Sequence, residues 1–223
     1  MGNDNSSESA HPVTLSTGFW IDIYEVTKQQ FAIFLNSSGN QIENGVSWLD
    51  IGSLETYIIY SIHGWEATEY YANHPVTNVT WDGAKRYCEW RGGFLPTEAQ
   101  WEYAARGNTG RLYPWGDDAP DPRFLNYGKL VGDTREVGYY ASGISLFGLY
   151  DMAGNVSEWI RDYFSPYKGV AEIDPTGPKN GSNNVIRGGS WASTGLEVRA
   201  TYREGIRPDF SRNTLGFRCA LLP

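Results

Sequence analysis

The stretch after residue 107 has neither helical nor strand periodicity, and this constrains the fold more than any other feature of the sequence. It runs through "YPWGDDAPDP", "NYGKLVGDTREVGYYASG" and "GLYDMAGNVSEW". Irregular stretches this long inside a compact domain are usually functional, or are fixed by something other than secondary structure. With 9 Trp, 15 Tyr and 26 Gly in 223 residues, the chain is predicted to be loop-rich and held together by large aromatic side chains.

Three segments carry helix-start signals. In "TKQQFAIFLN", Thr27 and Gln30 have the spacing of a capping box, and Thr97 and Gln100 repeat it in "LPTEAQWEYAARG". Thr80 precedes "WDGAKRYCEWRGG", which has apolar residues on one face and ends in a glycine pair. The sequence therefore predicts three helices.

The strand signals are shorter. Residues 11–27 alternate and are rich in β-branched and aromatic residues, which indicates strand, turn, strand. "VSWLDI" and "TYIIYSI" indicate short strands or a hairpin. There is no internal repeat or linker, so we expect a flexible segment at 1–11, followed by a single domain at 12–223.

The charge and hydropathy of the chain exclude two classes of partner. The net charge is −8, whereas a nucleic-acid-binding surface needs clustered Lys and Arg to neutralise phosphates. No apolar run has the length of a membrane span. A protein, a small molecule or a glycan remains possible as the ligand.

The two cysteines and three histidines do not have the spacing of a zinc site. Cys88 and Cys219 are either small buried hydrophobic residues or a disulfide that joins an early helix to the last strand. A disulfide would require an oxidising compartment. We therefore expect an extracytoplasmic or cell-surface location if the cysteines are paired, and a cytoplasmic one otherwise.

Several long motifs resemble those of one family. "HPVTNVTWDGAKRYCEWRGGFLPTEAQWEYAARG", "YPWGDD", "GLYDMAGNVSEW" and "RGGSW…GFR" occur in the order found in the formylglycine-generating enzyme and sulfatase-modifying-factor family. The resemblance extends from about Pro12 to Ala220. It implies an α+β fold of the C-type lectin-like type, loop-rich, with a small twisted antiparallel sheet and two main helices. In family members with cysteines at positions 88 and 219, the two are paired.

The resemblance also implies structural calcium. Without it, the "GLYDMAGNVSEW" loop would be interpreted as a solvated turn whose acidic residues cap backbone groups. Calcium takes six to eight oxygen ligands, and a tight loop of carboxylates and carbonyls supplies them. The first predicted ligand set consists of the Asp151 and Glu158 carboxylates and the Gly154 and Val156 carbonyls. A weaker second set consists of Asn126, the Tyr127 carbonyl and Asp133.

Active members of the family oxidise cysteine with two thiols that bind copper, and soft thiolates suit Cu(I). The first thiol position corresponds to Ser193 here, and the second falls at Glu197 or Val198. Because neither position carries a thiol, no copper is expected, and the chain is predicted to be non-catalytic. Paired carboxylates such as Glu98 and Glu102 are common near helix starts and are interpreted as structural.

Variable proteins of diversity-generating retroelements use the same fold and present a ligand-binding surface from the segment between "GGSW" and "GFR". The leading hypothesis is therefore a binding module whose recognition surface lies in residues 192–214. The alternatives are an oxidoreductase or other enzyme that uses the same fold with different chemistry, and a silent domain that stabilises a partner. The candidate ligand-binding residues are Ala192, Ser193, Thr194, Leu196, Glu197, Tyr202, Glu204, Ile206, Phe210, Asn213 and Thr214.

Overall fold

The structure is a computed structural model that describes residues 1–2 and 9–223. Residues 3–8 of the predicted flexible segment lie outside the described residues. On either side of these residues, the Gly2 amide donates to a Glu102 carboxylate oxygen at 3.1 Å, and the side chain of His11 is buried. No helix in the described part of the chain has the length and apolarity that crossing a bilayer requires.

All three predicted helices are present. Thr27 and Thr97 each form a complete capping box, in which the side chain of the residue three positions later bonds back to the cap amide. Thr80 accepts a hydrogen bond from the Gly83 amide. These local bonds satisfy amides that have no partner inside the helix, which explains why each helix begins where it does. The helices are α1 (Lys28–Ser38), α2 (Trp81–Trp90) and α3 (Glu98–Arg106).

The described residues form twelve short strands. The central sheet has the order β10 (Arg203–Ile206), β9 (Asn184–Arg187), β7 (Ser157–Tyr163) and β11 (Leu215–Gly216). Strand β7 is the longest, and β11 runs parallel to it while the other pairs are antiparallel. The strands are β1 (Val13–Thr14), β2 (Trp20–Ile21), β3 (Ile42–Glu43), β4 (Val46–Ser47), β5 (Ile58–Ser61), β6 (Gly64–Ala67), β7 (Ser157–Tyr163), β8 (Glu172–Ile173), β9 (Asn184–Arg187), β10 (Arg203–Ile206), β11 (Leu215–Gly216) and β12 (Ala220–Leu221).

The strands predicted from the first third of the chain are confirmed in outline. β1 and β2 lie within residues 11–27, and "TYIIYSI" contributes to the β5–β6 hairpin. β7 and β9 were not predicted. The result is an α+β domain in which α1 accompanies the two main helices that the resemblance implies.

An aromatic cluster packs α1 against α2. The ring of Phe34 lies 5.4 Å from that of Trp48 and 5.6 Å from that of Tyr87, while Phe31 contacts Phe217 from the C-terminal segment at 6.0 Å. Aromatic pairs at these distances stabilise the fold by more than the burial of their apolar surface alone would. Cysteines 88 and 219 lie in this same cluster and form a disulfide.

The irregular half of the domain, the loop-rich residues after 107, is held by buried arginines. Arg187 donates to the Glu102 carboxylate at 2.5 Å and to the carbonyls of Ala200, Thr201 and Tyr202 at 2.9–3.0 Å. A single guanidinium therefore satisfies three carbonyls of a segment that has little strand pairing.

Two further arginines act in the same way. Arg203 binds both oxygens of Glu98 at 2.7 Å. Arg218 is fully buried, binds Glu158, and also donates to carbonyls of the 22–23 and 150 backbone. Glu98 and Glu102 are thus structural ion-pair partners.

Candidate recognition surface and loop sites

Neighbouring loops fix the backbone of residues 192–214. The Gly128 amide donates to the Ser193 carbonyl at 2.8 Å, and the Ala200 amide donates to the Leu112 carbonyl at 2.9 Å. Near the other end of the segment, the Asn78 amide donates to the Arg212 carbonyl at 3.0 Å. Since β10 also pairs with β9, the segment is held along its length despite its irregular backbone.

All eleven candidate ligand-binding residues have solvent-accessible area. Leu196 and Phe210 are 63% and 47% exposed, and Thr194 is also exposed. Ile206 packs partly against the aromatic cluster, so its side chain also serves the core. The half-buried candidates are Ala192, Ser193, Glu197, Tyr202, Glu204, Ile206, Asn213 and Thr214.

Several polar candidates are engaged within the segment. A Glu197 carboxylate oxygen accepts from the Thr194 amide at 2.7 Å, and Glu204 lies 3.5 Å from the Arg212 guanidinium. The Ser193 hydroxyl accepts from the Ser190 amide at 3.0 Å. In the described part of the chain, no histidine bonds either serine hydroxyl, and the Ser190 and Ser193 hydroxyls lie 3.3 Å from each other.

The positions that correspond to catalytic thiols carry no thiol. Ser193 is half-buried, whereas Val198 is fully buried and belongs to a cluster with Tyr113, Leu125 and Ala153. Both cysteines of the sequence are used in the disulfide, and none is free. Of the two residues at the second position, Val198 is therefore part of the apolar core, whereas Glu197 is half-buried.

Glu158 does not fit the calcium role that the resemblance implies. It is fully buried, and Arg218 donates to both of its oxygens at 2.8–3.0 Å. The Trp101 indole also donates to it at 2.8 Å. A calcium ion would have to compete with a buried guanidinium for these oxygens, and breaking such an ion pair is costly.

The rest of this loop is tightly packed. Asp151 has a left-handed φ of 56° and accepts from the Gly138 amide at 2.7 Å. Burial raises the pKa of Asp151 to about 6. At Gly154, a Cβ atom would lie 2.3 Å from the Asn126 carbonyl oxygen, so only glycine permits this approach of the two predicted calcium loops. Val156 is buried, and its amide donates to Glu25 at 3.1 Å.

Glu25 contacts this loop and was not among the residues predicted from the sequence. It is buried and also accepts from the Asn155 amide group at 2.6 Å. Burial, and then the charges of Asp151 and Glu158, raise the pKa of Glu25 well above its usual value. An acidic residue inside the strand-like run "WIDIYEVT" was the available signal.

The structure brings Asn126 and Asp133 of the second predicted set together. Asn126 is buried, and its side-chain nitrogen donates to the Asp133 carbonyl at 2.8 Å. Its side-chain oxygen has no hydrogen-bond partner among the described residues. The Asp133 carboxylate accepts from the Tyr71 hydroxyl at 2.8 Å and the Thr134 amide at 2.7 Å. The Tyr127 carbonyl accepts from the Leu130 amide at 3.2 Å.

Side-chain clusters typical of transition-metal sites are absent from the described residues. In that part of the chain, no three His, Cys, Asp or Glu side chains are arranged to hold a metal ion. A calcium site at Asn126 would therefore depend on amide, carbonyl and single carboxylate oxygens, which are ligands that calcium accepts.

Similar proteins are found by both sequence and structure. A serine/threonine-protein kinase Pkn1 of Chlamydia trachomatis is 41% identical over 94% of this chain and 34% of its own length. The formylglycine-generating enzyme of Mus musculus is 34% identical over 91% of the chain and 66% of its own length. This chain thus spans about a third of the first relative and about two thirds of the second. The inactive C-alpha-formylglycine-generating enzyme 2 of Bos taurus is 40% identical over 66% of this chain and 50% of its own length.

Two solved structures share the fold at 25% identity. The Treponema denticola variable protein 1 superposes with a TM-score of 0.77, covering 100% of this chain and 91% of its own. PvdO from Pseudomonas aeruginosa has a TM-score of 0.69, covering 95% and 83%. These matches confirm the predicted fold.

The family described as sulfatase-modifying factor enzyme 1-like domain matches residues 1–222. The chain therefore belongs to that family.

Proposed function

We propose that this domain is a non-catalytic binding module for a protein, small-molecule or glycan ligand, and that residues 192–214 carry its recognition surface. The observation behind the proposal is the exposure of Thr194, Leu196 and Phe210 on a backbone that neighbouring loops hold in place. Because the backbone is already held, binding has to order little more than the side chains themselves, and aromatic residues are frequent anchors. The likeness to a Treponema denticola variable protein supports the same role.

The absence of a free thiol argues against the oxidase alternative. The chain has two cysteines, both in the disulfide. A relative that is 40% identical over 66% of this chain is named as an inactive C-alpha-formylglycine-generating enzyme, which supports the same conclusion. The direct check is mass spectrometry of a cysteine-containing sulfatase peptide after incubation with the domain, copper and oxygen. We expect the peptide mass to stay unchanged, and conversion of its cysteine to an aldehyde would contradict the proposal.

The binding experiment compares the wild-type domain with two variants on protein and glycan arrays. The first variant carries Thr194→Ala, Leu196→Ala and Phe210→Ala. The control carries Leu54→Ala and Ile62→Ala, which remove side chains that are 93% and 96% exposed on a different part of the chain. We expect the first variant to lose the ligands that the wild type captures and the control to retain them. Equal capture by both variants would place recognition elsewhere.

We also propose a structural calcium ion held by the Asn126 side chain, the Tyr127 carbonyl and Asp133. The unpaired buried oxygen of Asn126 supports it, because such an oxygen is costly unless something coordinates it. Ligation by Asp151, Gly154 and Val156 stays a prediction. We expect Asn126→Ala to lower bound calcium in elemental analysis and an Asn180→Ala control to leave it unchanged. Absence of calcium, with a melting temperature insensitive to chelator, would reject both sites.

The disulfide supports an oxidising location for the domain. Disulfides persist in secreted, periplasmic and cell-surface proteins and are rare in the cytosol. We therefore propose an extracytoplasmic or cell-surface location. To test this, the protein is taken from its own cells, unfolded without reductant and treated with a thiol label. A cytoplasmic location predicts that Cys88 and Cys219 are labelled, whereas an oxidising location predicts that they are not.

A further inference from the structure

A cleft of about 800 Å³ lies away from the proposed recognition surface. Its walls come from α2, the connection between α2 and α3, strand β7 and the loop at residues 174–179. No residue of segment 192–214 lines it. The volume falls in the range of small-molecule sites.

Two cations in this cleft lack carboxylate partners. Arg161 and Lys179 both line it, and neither forms an ion pair with any described carboxylate. The two acidic residues of the lining are already engaged. Asp174 accepts from the Ser16 amide at 2.8 Å and from the Ser16 hydroxyl, and Glu89 lies 3.0 Å from Arg86.

The unpaired cations are notable in a chain with a net charge of −8. Most of its other arginines form ion pairs or bond to backbone carbonyls, as Arg187, Arg203 and Arg218 do. A guanidinium and an ammonium without carboxylate partners give the lining of one cleft several hydrogen-bond donors and two positive charges. This combination suits a carboxylate, to which arginine can donate two parallel hydrogen bonds.

Aromatic rings line the same cleft and are held in fixed positions. The Trp81 indole nitrogen donates to the Ile160 carbonyl at 2.8 Å, next to Arg161 in β7. The Arg161 amide donates to the Pro96 carbonyl at 3.0 Å. The Trp81 ring and the Arg161 backbone are thus fixed side by side.

The loop that carries Lys179 is pressed against β7. A Cβ atom at Gly181 would lie 2.7 Å from Tyr163 Cβ, and one at Gly177 would lie 2.9 Å from Asp162 Cβ. Glycine at both positions therefore permits the close approach that keeps this wall beside Tyr163. The cleft is built on a strand and a tightly packed loop, and such support gives a binding site fixed geometry.

We propose that this cleft binds a small ligand that carries a carboxylate next to an apolar ring. Arg161 and Lys179 recognise the carboxylate, and the ring lies along Trp81 and Tyr163. A peptide that ends in an aromatic residue presents this chemistry. A uronic acid sugar presents a related form of it, a carboxylate on a ring that has an apolar C–H face. The site is independent of the recognition surface at 192–214, and either one can be correct without the other.

Amide-resolved NMR titration of the full chain tests the proposal with two matched probe pairs. N-acetylphenylalaninate is compared with its neutral amide, and methyl glucuronide with methyl glucoside. We expect an acidic probe, but not its neutral partner, to shift the amides of Arg161, Tyr163 and Lys179. Which acidic probe binds identifies the source of the ligand.

The variants are Arg161→Ala, Lys179→Ala and, as control, the exposed Arg123→Ala. We expect each cleft variant to raise the Kd of the acidic probe roughly tenfold, because it loses one charge-assisted hydrogen bond. The control is expected to leave the Kd unchanged. Lys179→Ala keeps the test valid if Arg161→Ala fails to fold. The proposal is wrong if acidic and neutral probes bind equally, if neither binds up to roughly 10 mM, or if the cleft variants behave like the control.

Discussion

The α1–α2 half and the irregular half of this domain are stabilised by different interactions. In the first, stacked aromatic rings pack two capped helices, and the Cys88–Cys219 disulfide joins α2 to the C-terminal segment. In the second, Arg187, Arg203 and Arg218 bind carboxylates and loop carbonyls. A loop without a sheet ladder still needs partners for its buried carbonyls, and a guanidinium supplies several at once. Irregular backbone can thus be rigid enough to carry a recognition surface.

The largest predicted effect comes from removing one of the buried arginines. Arg218→Ala leaves Glu158 buried without its counter-ion, next to the carboxylates of Glu25 and Asp151. We expect a loss of about 4 kcal/mol in the free energy of unfolding, or failure to fold, as is typical when one partner of a buried ion pair is removed. Denaturant unfolding measures the loss.

The matched control for that prediction is Arg123→Ala, since Arg123 pairs with Asp121 at an exposed position. We expect no measurable change in its unfolding. If both arginine variants were equally stable, the loops would be held by something other than the buried guanidinium groups.

Removing the disulfide tests the other half. Replacing both Cys88 and Cys219 by alanine removes a disulfide between residues that are 131 positions apart. Measured disulfides typically contribute about 2–4 kcal/mol, which is less than the roughly 5 kcal/mol that loop-closure entropy alone gives for a loop of this length. We expect a smaller loss than in Arg218→Ala, measured in the same denaturant series. A larger loss would mean that the aromatic half depends on its covalent link more than on its packing.

Asp162 is a buried carboxyl that lowers the stability of the irregular half at neutral and alkaline pH. Burial raises the pKa of Asp162 to about 7, and the charge of Glu98 adds to the increase. Because the folded-state pKa lies above the unfolded value, stability is lost as pH rises from about 4 to about 7. We expect Asp162→Asn to remove this loss and to stabilise the domain by on the order of 2 kcal/mol at pH 8. The unfolding midpoints of the wild type and of Asp162→Asn are measured from pH 4 to pH 8. If the two midpoints shifted equally with pH, this explanation would be wrong.

The smallest expected effect on stability is at the recognition surface. Thr194→Ala, Leu196→Ala and Phe210→Ala together remove exposed side chains that are not buried in the core clusters. We expect the free energy of unfolding to change by less than about 0.5 kcal/mol per substitution, which is usual for surface positions. A loss comparable to that of the disulfide variant would mean that these side chains support the fold.

The helices could be predicted because their start signals are local. Thr27 and Thr97 bond with residues three positions away, so a short window of sequence contains the whole interaction. Strands β7 and β9 were missed because their residues do not alternate in burial. Residues 157–160 and 184–187 are all buried, and a strand covered on both faces lacks the two-residue period.

The ion pairs could not be predicted because their partners are distant in sequence. Arg203 and Glu98 are 105 positions apart, and Arg218 and Glu158 are 60 apart. This also explains why Glu158 was assigned to calcium: a carboxylate in a loop motif shows what it could bind, but not which cation reaches it in the fold. The recognition candidates lie at exposed or half-buried positions, and their role in binding stays a prediction.

The most direct test of the proposed function is the affinity of the Thr194, Leu196 and Phe210 variant for the ligand that the arrays identify. Its Kd and its melting temperature are measured beside those of the wild type and of the Leu54 and Ile62 control. We expect the Kd to rise about 100-fold or more, as loss of anchor side chains commonly gives, while the melting temperature stays at the wild-type value. An unchanged Kd, or a loss of binding that follows a loss of stability, would contradict a recognition surface at residues 192–214.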